Sequence, residues 1–293
     1  MNAEKEKQAI QYLKAFEPKS EPYYLCYSGG KDSDVIRILA SLAGVKHDIV
    51  NNHTTVDAPE TVRYIRSIPG VQIEMPKETM WQLIVRKGLP PTRLMRYCCS
   101  ELKEHGGKGR VKITGVRKEE SYARSVNSEL VQVIGKPKTT AKLAEDAGVD
   151  YTISPKGGIV LNDDNDESRR FVERCYRTTA TMVNPIVDWT ESDVWEFLHQ
   201  YGCEGNPLYQ CGFSRVGCIG CPLGGPKSMK KEFALYPKYK ENYIRAFDRM
   251  IAKRIEDGKS TQWETGKDVF TWWVGDDPMQ LTLDDYDEDW YKL

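Results

Sequence analysis

The segment 23–43 constrains the fold of this chain most, because it joins a strand pattern to a helix pattern through a glycine-rich turn. The short apolar run YYLCY, residues 23–27, is typical of a buried parallel strand. Residues 34–43 carry apolar side chains at helical spacing, and Gly44 can end that helix. The six residues SGGKDS, 28–33, lie where the strand must turn into the helix.

The residue types in this turn are suited to holding phosphate. Glycine has no Cβ, so the backbone can approach an anion closely. The free N–H groups and the dipole of a helix start attract negative charge. The turn matches neither the Walker A pattern nor G-x-G-x-x-G. The alternative to a phosphate site is a glycine turn that only connects the strand to the helix. The predicted phosphate-binding residues are Ser28, Gly29, Gly30, Lys31, Asp32 and Ser33.

Strand and helix patterns continue to alternate after this turn. Strands are predicted at 47–51, 71–75 and 111–115, and a helix is predicted at 80–87. Such alternation favours an α/β fold with a doubly wound, mostly parallel sheet. Residues 151–168, with glycines, a proline and an acidic run, indicate a surface loop or hairpin.

The C-terminal part has a different character. The segment 205–226 is rich in glycine, cysteine and proline, and residues 237–257 form a helical pattern with one aromatic and apolar face. We therefore predict an α/β domain over residues 1–204. A cysteine-rich, helical extension over 205–293 is expected to pack on it.

Composition limits the class of protein. The net charge is −1, so no global field draws the chain to nucleic acid or membrane. The N-terminus carries no apolar core of a signal peptide, and no stretch approaches the ~20 apolar residues of a membrane span. These features predict a cytoplasmic protein without a membrane contact. The sequence leaves open whether it forms a homo-oligomer.

Five of the eight cysteines form two clusters. In a cytosolic chain such clusters indicate metal ligands or catalytic groups more than disulfides. A C-x-x-C pair among glycines is a common ligand hairpin for zinc or an iron–sulfur cluster. Which four of the five serve as ligands stays open. The candidate ligands are Cys98, Cys99, Cys211, Cys218 and Cys221.

The SGGKDS turn after the first strand resembles the signature of the PP-loop, or N-type, ATP pyrophosphatase superfamily. Within it, TTVDAPET (54–61), TGVRKEESYARS (114–125) and NPIVDWTESDVWEFL (184–198) resemble the phosphoadenosine phosphosulfate reductase branch. The resemblance implies an adenine nucleotide alpha hydrolase-like fold. It also implies a loop that binds the β and γ phosphates of ATP. The enzyme would cleave ATP between the α and β phosphates and release pyrophosphate.

Site residues follow from the same resemblance. It implies catalytic roles for Lys31, Asp57 and Arg117, with Asp57 near the nucleotide or its Mg²⁺. Arg117 and Arg124 would bind a second anion, since guanidinium groups suit phosphate and sulfate oxygens. The implied pocket residues after the fourth strand are Gly115, Arg117, Glu120, Ser121 and Arg124.

The cysteine pattern resembles two relatives of this branch. RYCCSELK and CGFSRVGCIGC are similar to iron–sulfur adenylylsulfate reductases, and more similar to the ATP pyrophosphatase subunit of DNA phosphorothioation systems. Both resemblances imply a [4Fe–4S] cluster rather than zinc. No cysteine follows Cys221, whereas the reductases keep their nucleophilic cysteine in a C-terminal tail.

The resulting hypothesis is ATP-dependent activation of a substrate by adenylylation for sulfur incorporation into DNA or RNA, with a cysteine desulfurase as sulfur source. Alternatives are a reductase acting on APS or PAPS, and a non-catalytic, cluster-bearing nucleotide-binding subunit. Residues 226–259 hold ten Lys/Arg and five acids, a net charge of +5 that favours nucleic acid. Tyr236, Tyr239 and Tyr243 are candidates for base stacking; the alternative is a solvated helix with its aromatic face in the core.

Overall fold

The computed structural model describes residues 3–121, 124–125, 130–134, 145, 150–153, 159–161 and 180–275. The chain forms two compact units that are interleaved along the sequence. Unit 1 comprises residues 1–52, 59–74 and 105–216, and unit 2 comprises 53–58, 75–104 and 217–293. These units do not coincide with the division predicted between residues 204 and 205, because 53–58 and 75–104 group with the C-terminal segment.

In its described part, unit 1 contains one eight-stranded sheet with the order β3-β2-β1-β4-β8-β5-β7-β6. Its strands are β1 Tyr23–Cys26, β2 His47–Asn52, β3 Val71–Glu74, β4 Val111–Ile113, β5 Val131–Ile134, β6 Tyr151–Ile153, β7 Ile159–Leu161 and β8 Ala180–Val183. Strands β3, β2, β1, β4 and β8 pair in parallel, which confirms the mostly parallel α/β prediction.

The remaining three strands pair antiparallel and extend the sheet beyond β8. Strands β6 and β7 form the predicted hairpin, whereas the acidic run 163–167 lies outside the described residues. Strand β5 was not predicted, although Val131, Val133 and Ile134 are β-branched, and its pairing with β8 joins segments that are far apart in the chain. The sequence therefore predicted the parallel part of the sheet better than its antiparallel edge.

The helices agree closely with the periodicity of apolar residues. They are α1 Ala3–Ala15, α2 Lys31–Ala43, α3 Pro59–Ser67, α4 Met80–Lys87, α5 Glu191–Gln200, α6 Gly225–Leu235, α7 Pro237–Glu256 and α8 Gly266–Trp273. Helices α1, α2, α3 and α5 belong to unit 1, where α2 packs against α1 and α5. No described helix combines the length and the apolar character that a membrane span requires.

Unit 2 contains α4, α6, α7, α8 and a short π-helical turn, Cys99–Lys103. The apolar face of α7 forms its core: the rings of Tyr243 and Phe247 lie 4.7 and 5.4 Å from the ring of Trp273. Trp273 donates its indole N–H to the carbonyl of Pro91 at 2.6 Å, so its polar atom is satisfied inside this core.

Candidate functional site

The turn between β1 and α2 requires glycine at position 29. Gly29 has a φ of +72°, in the left-handed region that favours glycine. A Cβ there would lie 2.7 Å from Cγ1 of Ile65 and 3.3 Å from Cγ2 of Thr61, both on α3. The backbone of the turn is therefore packed against α3 as closely as a glycine allows.

Helix α2 begins at Lys31 with its first amides facing the turn. Gly30 is the residue before the helix and has no side chain to cap it. The Lys31 amide donates to the hydroxyl of Tyr209 at 3.0 Å, and Ser33 Oγ donates to the Gly30 carbonyl at 2.7 Å. Ser28 Oγ lies 3.4 Å from Ser33 Oγ. The start of α2 thus combines a helix dipole, backbone donors and two hydroxyls, which is the arrangement that binds phosphate.

Lys31 places a positive charge at this turn. Its side chain is 7% exposed, and its Nζ lies 3.4 Å from Glu191 Oε1 and 3.7 Å from Asp32 Oδ2. The Nζ also lies 5.3 Å from the ring centroid of Tyr209, a cation–π distance. These partners hold the ammonium group beside the start of α2 rather than in free solvent.

Asn206 and Tyr209, which were not predicted from the sequence, contact the turn. Asn206 is fully buried, and its Nδ2 donates to the Gly29 carbonyl at 3.0 Å and to Thr61 Oγ1 at 3.1 Å. Its Oδ1 accepts from the Leu208 amide, which fixes the short turn that carries Tyr209. The Asn-Pro dipeptide signals a turn, but no local pattern indicates that this turn meets Gly29.

Arg117 lies beside the turn, inside a cage of carboxylates. It is 2% exposed, and it donates to Asp32 at 2.6 Å, Glu191 at 2.8 Å and Glu119 at 3.0 Å. Burial lowers the pKa of a guanidinium, but Asp32 and Glu191 raise the pKa of Arg117 above its ordinary value. Its role as a ligand for a second anion stays a prediction, since these donors contact protein carboxylates here.

The other predicted pocket residues follow Arg117 along the chain. A Cβ on Gly115 would lie 2.9 Å from the Asp32 carbonyl oxygen, so the segment that follows strand β4 passes directly beside the start of α2. Glu120 accepts from the Arg117 amide at 3.1 Å and forms an ion pair with Arg124. Ser121 Oγ accepts from the Arg124 amide at 3.3 Å. The structure brings these residues together, and their contact with a substrate stays a prediction.

Asp57 lies in unit 2, where it accepts from the Thr54 amide at 2.8 Å and lies 3.2 Å from His53 Nδ1. Burial raises the pKa of its carboxyl group, but hydrogen bonds from His53 and Thr54 and the charge of Lys103 hold that pKa below its ordinary value. The carboxylate is therefore ionised at neutral pH. Its predicted role at the nucleotide or Mg²⁺ stays untested.

Four of the five candidate ligand cysteines lie in unit 2, and all four are free thiols. A hydrogen bond with Cys99, burial and the nearby Cys218 and Cys221 raise the pKa of Cys98. Cys211 is exposed and belongs to unit 1. Among the residues that the structure describes, no three His, Cys, Asp or Glu side chains converge on one metal ion.

Four thiols can supply the ligands of either a [4Fe–4S] cluster or a zinc ion, and the two groups require different ligand geometries. The four ligands of a zinc ion must converge at about 2.3 Å from a single centre, whereas each cysteine of a [4Fe–4S] cluster binds a different iron atom. The cationic side chains of Arg96 and Lys103 lie close to these thiols. Hydrogen bonds from Cys98 and Arg96 lower the pKa of Cys99 although burial opposes ionisation. In contrast, burial raises the pKa of Cys218 to about 12 although Lys103 opposes this shift.

Comparison with known proteins places this chain in a family. The family model for the phosphoadenosine phosphosulfate reductase domain matches residues 22–223. An uncharacterized protein of Methanocaldococcus jannaschii is 25% identical over 261 residues, which cover 83% of this chain and 45% of that protein. The chain spans about half the length of the curated relatives that it matches over most of its own length.

A protein of Bacillus thuringiensis named adenosine 5'-phosphosulfate reductase is 29% identical over 66 residues, covering 22% of this chain and 28% of that protein. A solved structure of phosphoadenylyl-sulfate reductase from Candida auris aligns with a TM-score of 0.44 at 14% identity, covering 73% of this chain and 87% of that chain. Because the family model covers more than two thirds of the chain, the chain belongs to the phosphoadenosine phosphosulfate reductase domain family.

Proposed function

We propose that this chain binds ATP at residues 28–33 and adenylylates an acceptor so that sulfur can replace one of its oxygens. The observation that carries the proposal is the turn itself. Gly29 is held in a left-handed conformation against α3, and the ammonium of Lys31 lies at the start of α2. Such a site attracts a polyphosphate by backbone donors, the helix dipole and a full charge.

The reaction follows from the chemistry of ATP. An oxygen of the acceptor attacks the α-phosphorus, the bond from that phosphorus to the bridging oxygen breaks, and pyrophosphate leaves. A hydrosulfide ion then attacks the atom that bears the adenylyl group, and AMP leaves with the original oxygen. The turn residues hold the leaving pyrophosphate. The ionised carboxylate of Asp57 would hold Mg²⁺ or the nucleotide, as the family resemblance implies.

The nature of the acceptor and of the sulfur source forms part of this proposal. The net charge of +5 over residues 226–259 supports a nucleic acid acceptor, DNA or RNA. A cysteine desulfurase would supply the sulfur in the cell, and free sulfide replaces it in an assay.

The cysteines of unit 2 are the proposed ligands of a [4Fe–4S] cluster, with Cys211 as the alternative to one of them. A bound cluster would supply either a covalent cross-link of the fold or an iron site that handles sulfur. We expect anaerobically purified protein to carry ~4 iron atoms per chain. Replacing Cys218 or Cys221 with serine should remove most of this iron. The proposed ligands are Cys98, Cys99, Cys218 and Cys221.

The matched control is Cys203→Ala, since Cys203 is a partly buried thiol of unit 1 that packs against the core. This variant should keep the iron content of the unmodified chain. Iron and acid-labile sulfide are measured on all variants. Stoichiometric zinc without iron, or equal iron in the Cys218→Ser variant, would contradict the cluster assignment.

The proposed activity is tested by measuring pyrophosphate release from ATP with sulfide and single-stranded DNA or RNA present. We expect release to fall by about 100-fold in Lys31→Ala, which removes charge stabilisation of the leaving group. A second arm measures sulfite release from adenosine 5'-phosphosulfate with a thiol donor. The similarity to the Bacillus thuringiensis reductase favours including it.

Each outcome of these two arms points to one function. Pyrophosphate release without sulfite supports the proposal, and sulfite without pyrophosphate assigns a sulfonucleotide reductase. ATP binding without turnover in either arm assigns a non-catalytic subunit.

A further inference from the structure

Two adjoining depressions on unit 2 share Trp81 and Arg249, and together we call them the Trp81 groove. The first has a volume of about 510 Å³ and the second about 430 Å³, within the range of about 300–1,000 Å³ that holds small ligands. The first is lined by Trp81, Asn242, Arg245, Asp248 and Arg249. The second is lined by Trp81, Gln82, Val85, Arg86, Arg249, Lys253 and Asp257.

Trp81 is a rigid aromatic platform in this groove. Its ring lies 4.8 Å from that of Tyr243 in an edge-on arrangement, and 6.5 Å from that of Tyr239. The residue is half-buried, so part of the indole is anchored in the core while part lines both depressions. An aromatic side chain held in this way loses little entropy when a second planar group stacks on it.

Arg245 and Arg249 supply the positive charge of the groove. They are exposed and lie one helical turn apart on α7, so their side chains are neighbours. Arg249 Nε donates to the Arg245 carbonyl at 3.3 Å. Arg245 meets Glu241 at 3.6 Å, and because both side chains are largely exposed this pair is weak and exchangeable.

The other charges of the groove have firmer partners. Arg86 forms ion pairs with Glu78 and Glu101. Lys253 lies 2.8 Å from Asp257, and the Asp248 carboxylate accepts from the Gly266 amide at 2.5 Å. An incoming anion would therefore be held chiefly by Arg245 and Arg249.

We propose that the Trp81 groove binds single-stranded nucleic acid, with one base stacked on Trp81 and the neighbouring phosphates on Arg245 and Arg249. An aromatic platform beside arginines is how proteins hold single strands without reading their sequence. An acidic peptide could satisfy the two guanidinium groups, but its carboxylates give the indole no planar partner. This inference rests on the proposed function in one respect: the groove would bind the nucleic acid acceptor that the proposed function assumes.

Of the three tyrosines that the sequence suggested for base stacking, the structure excludes Tyr243, because its ring is buried. Tyr243 is 1% exposed and donates its hydroxyl to the Ile219 carbonyl at 3.0 Å. Tyr239 donates its hydroxyl to the Asp57 carbonyl at 3.0 Å. The ring of Tyr243 supports Trp81 from the core, whereas Tyr236 and Tyr239 are half-buried and their role in base stacking stays a prediction.

The test measures fluorescence anisotropy of a labelled oligothymidylate of about 20 nucleotides with the full chain, without ATP, across a salt series. The exposed double variant Arg245→Gln/Arg249→Gln should bind about tenfold more weakly or worse. Its log–log salt slope should fall by about 1.4, or about 0.7 for each lost phosphate contact. Trp81→Leu should bind at least fivefold more weakly, since stacking contributes about 1–3 kcal/mol per base, and should change the salt slope little.

The matched control is Lys230→Gln/Lys231→Gln, which removes the same charge from exposed positions of α6. It should change affinity less than threefold. The groove assignment is overturned if the unmodified chain does not bind the oligonucleotide at low salt, or if both double variants bind equally. It is also overturned if poly-glutamate displaces the oligonucleotide at equal charge concentration, since that outcome assigns an acidic protein partner.

Failure of this site and failure of the proposed function give different results. Oligonucleotide binding is measured without nucleotide, and pyrophosphate release is measured separately. Weak oligonucleotide binding with intact pyrophosphate release refutes the groove alone, while the reverse result refutes only the activity. If Trp81→Leu fails to fold because its ring supports Tyr243, the exposed arginine variant still decides the question.

Discussion

Gly29→Ala is expected to unfold at a temperature about 6–12 °C lower than the unmodified chain, which corresponds to about 3 kcal/mol at this size. The left-handed φ of +72° costs an alanine about 1–3 kcal/mol. The added Cβ would lie 2.7 Å from the buried Ile65 side chain, and relieving this overlap costs about 1–3 kcal/mol more. Because the relaxation displaces the turn, nucleotide affinity should also fall by about tenfold or more.

The Gly44→Ala variant separates the cost of the left-handed backbone from the cost of the overlap with Ile65. Gly44 has a similar φ of +68°, but no heavy atom lies within 4 Å of the position of its Cβ. This variant should lose only about 1 kcal/mol and should bind nucleotide like the unmodified chain. Thermal unfolding and nucleotide titration of both variants are the measurements. Equal stability and equal affinity of the two would show that close packing of the turn against α3 is unimportant.

Arg117→Met is expected to lower the free energy of unfolding by about 3 kcal/mol, because it leaves carboxylates without their buried cation. The expected value lies at the lower end of the usual range, since Glu119 and Glu191 are each half exposed and can be solvated. Arg117→Lys should restore only part of the loss. One ammonium group cannot donate to three carboxylates in the geometry of the guanidinium fork.

The neighbouring Lys118 offers a matched control. Its ammonium lies 2.9 Å from Asp188, but the two side chains are 29% and 70% exposed. Lys118→Met should therefore cost less than about 1 kcal/mol. Denaturant unfolding of both variants measures the difference. If Arg117→Met is no less stable than Lys118→Met, the carboxylate cage does not stabilise unit 1.

Local elements of this fold were predictable because their signals lie within a few residues. Helix α4 begins and ends where predicted, since Thr79 and Gln82 form a capping box and Gly88 ends the helix in a left-handed conformation. The strand, turn and helix over residues 23–43 are likewise encoded by an apolar run, two glycines and a helical period. Such patterns are local, because they depend on the apolar character and backbone preferences of neighbouring residues.

Contacts between distant segments could not be predicted in this way. Asn206 meets Gly29 across 177 residues, and Arg117 meets Asp32 across 85. No periodicity encodes these pairs, because they depend on how the strands order themselves in the sheet. Arg117 appeared from the sequence as an anion ligand, and its cage of carboxylates became visible only in the structure.

The exposure of individual aromatic residues to solvent could not be predicted from the sequence either. Helical spacing places Tyr243 on an apolar face, but spacing alone does not decide whether that face meets solvent, a base or the core. The structure buries Tyr243 and leaves Trp81 of α4 half-exposed beside Arg249. The aromatic side chain that lies beside the basic residues of α7 belongs to a different helix, which helical spacing within α7 could not indicate.

The central claim, that the turn at residues 28–33 binds the phosphates of ATP, is tested most directly by calorimetric titration of a non-hydrolysable ATP analogue. The comparison is between the unmodified chain and Lys31→Ala/Ser33→Ala. The account predicts binding by the unmodified chain and a loss of about 100-fold or more in the double variant, since two hydrogen bonds to charged groups contribute about 1.5–3 kcal/mol each. Equal affinity of the two proteins, or no binding by either, would contradict it.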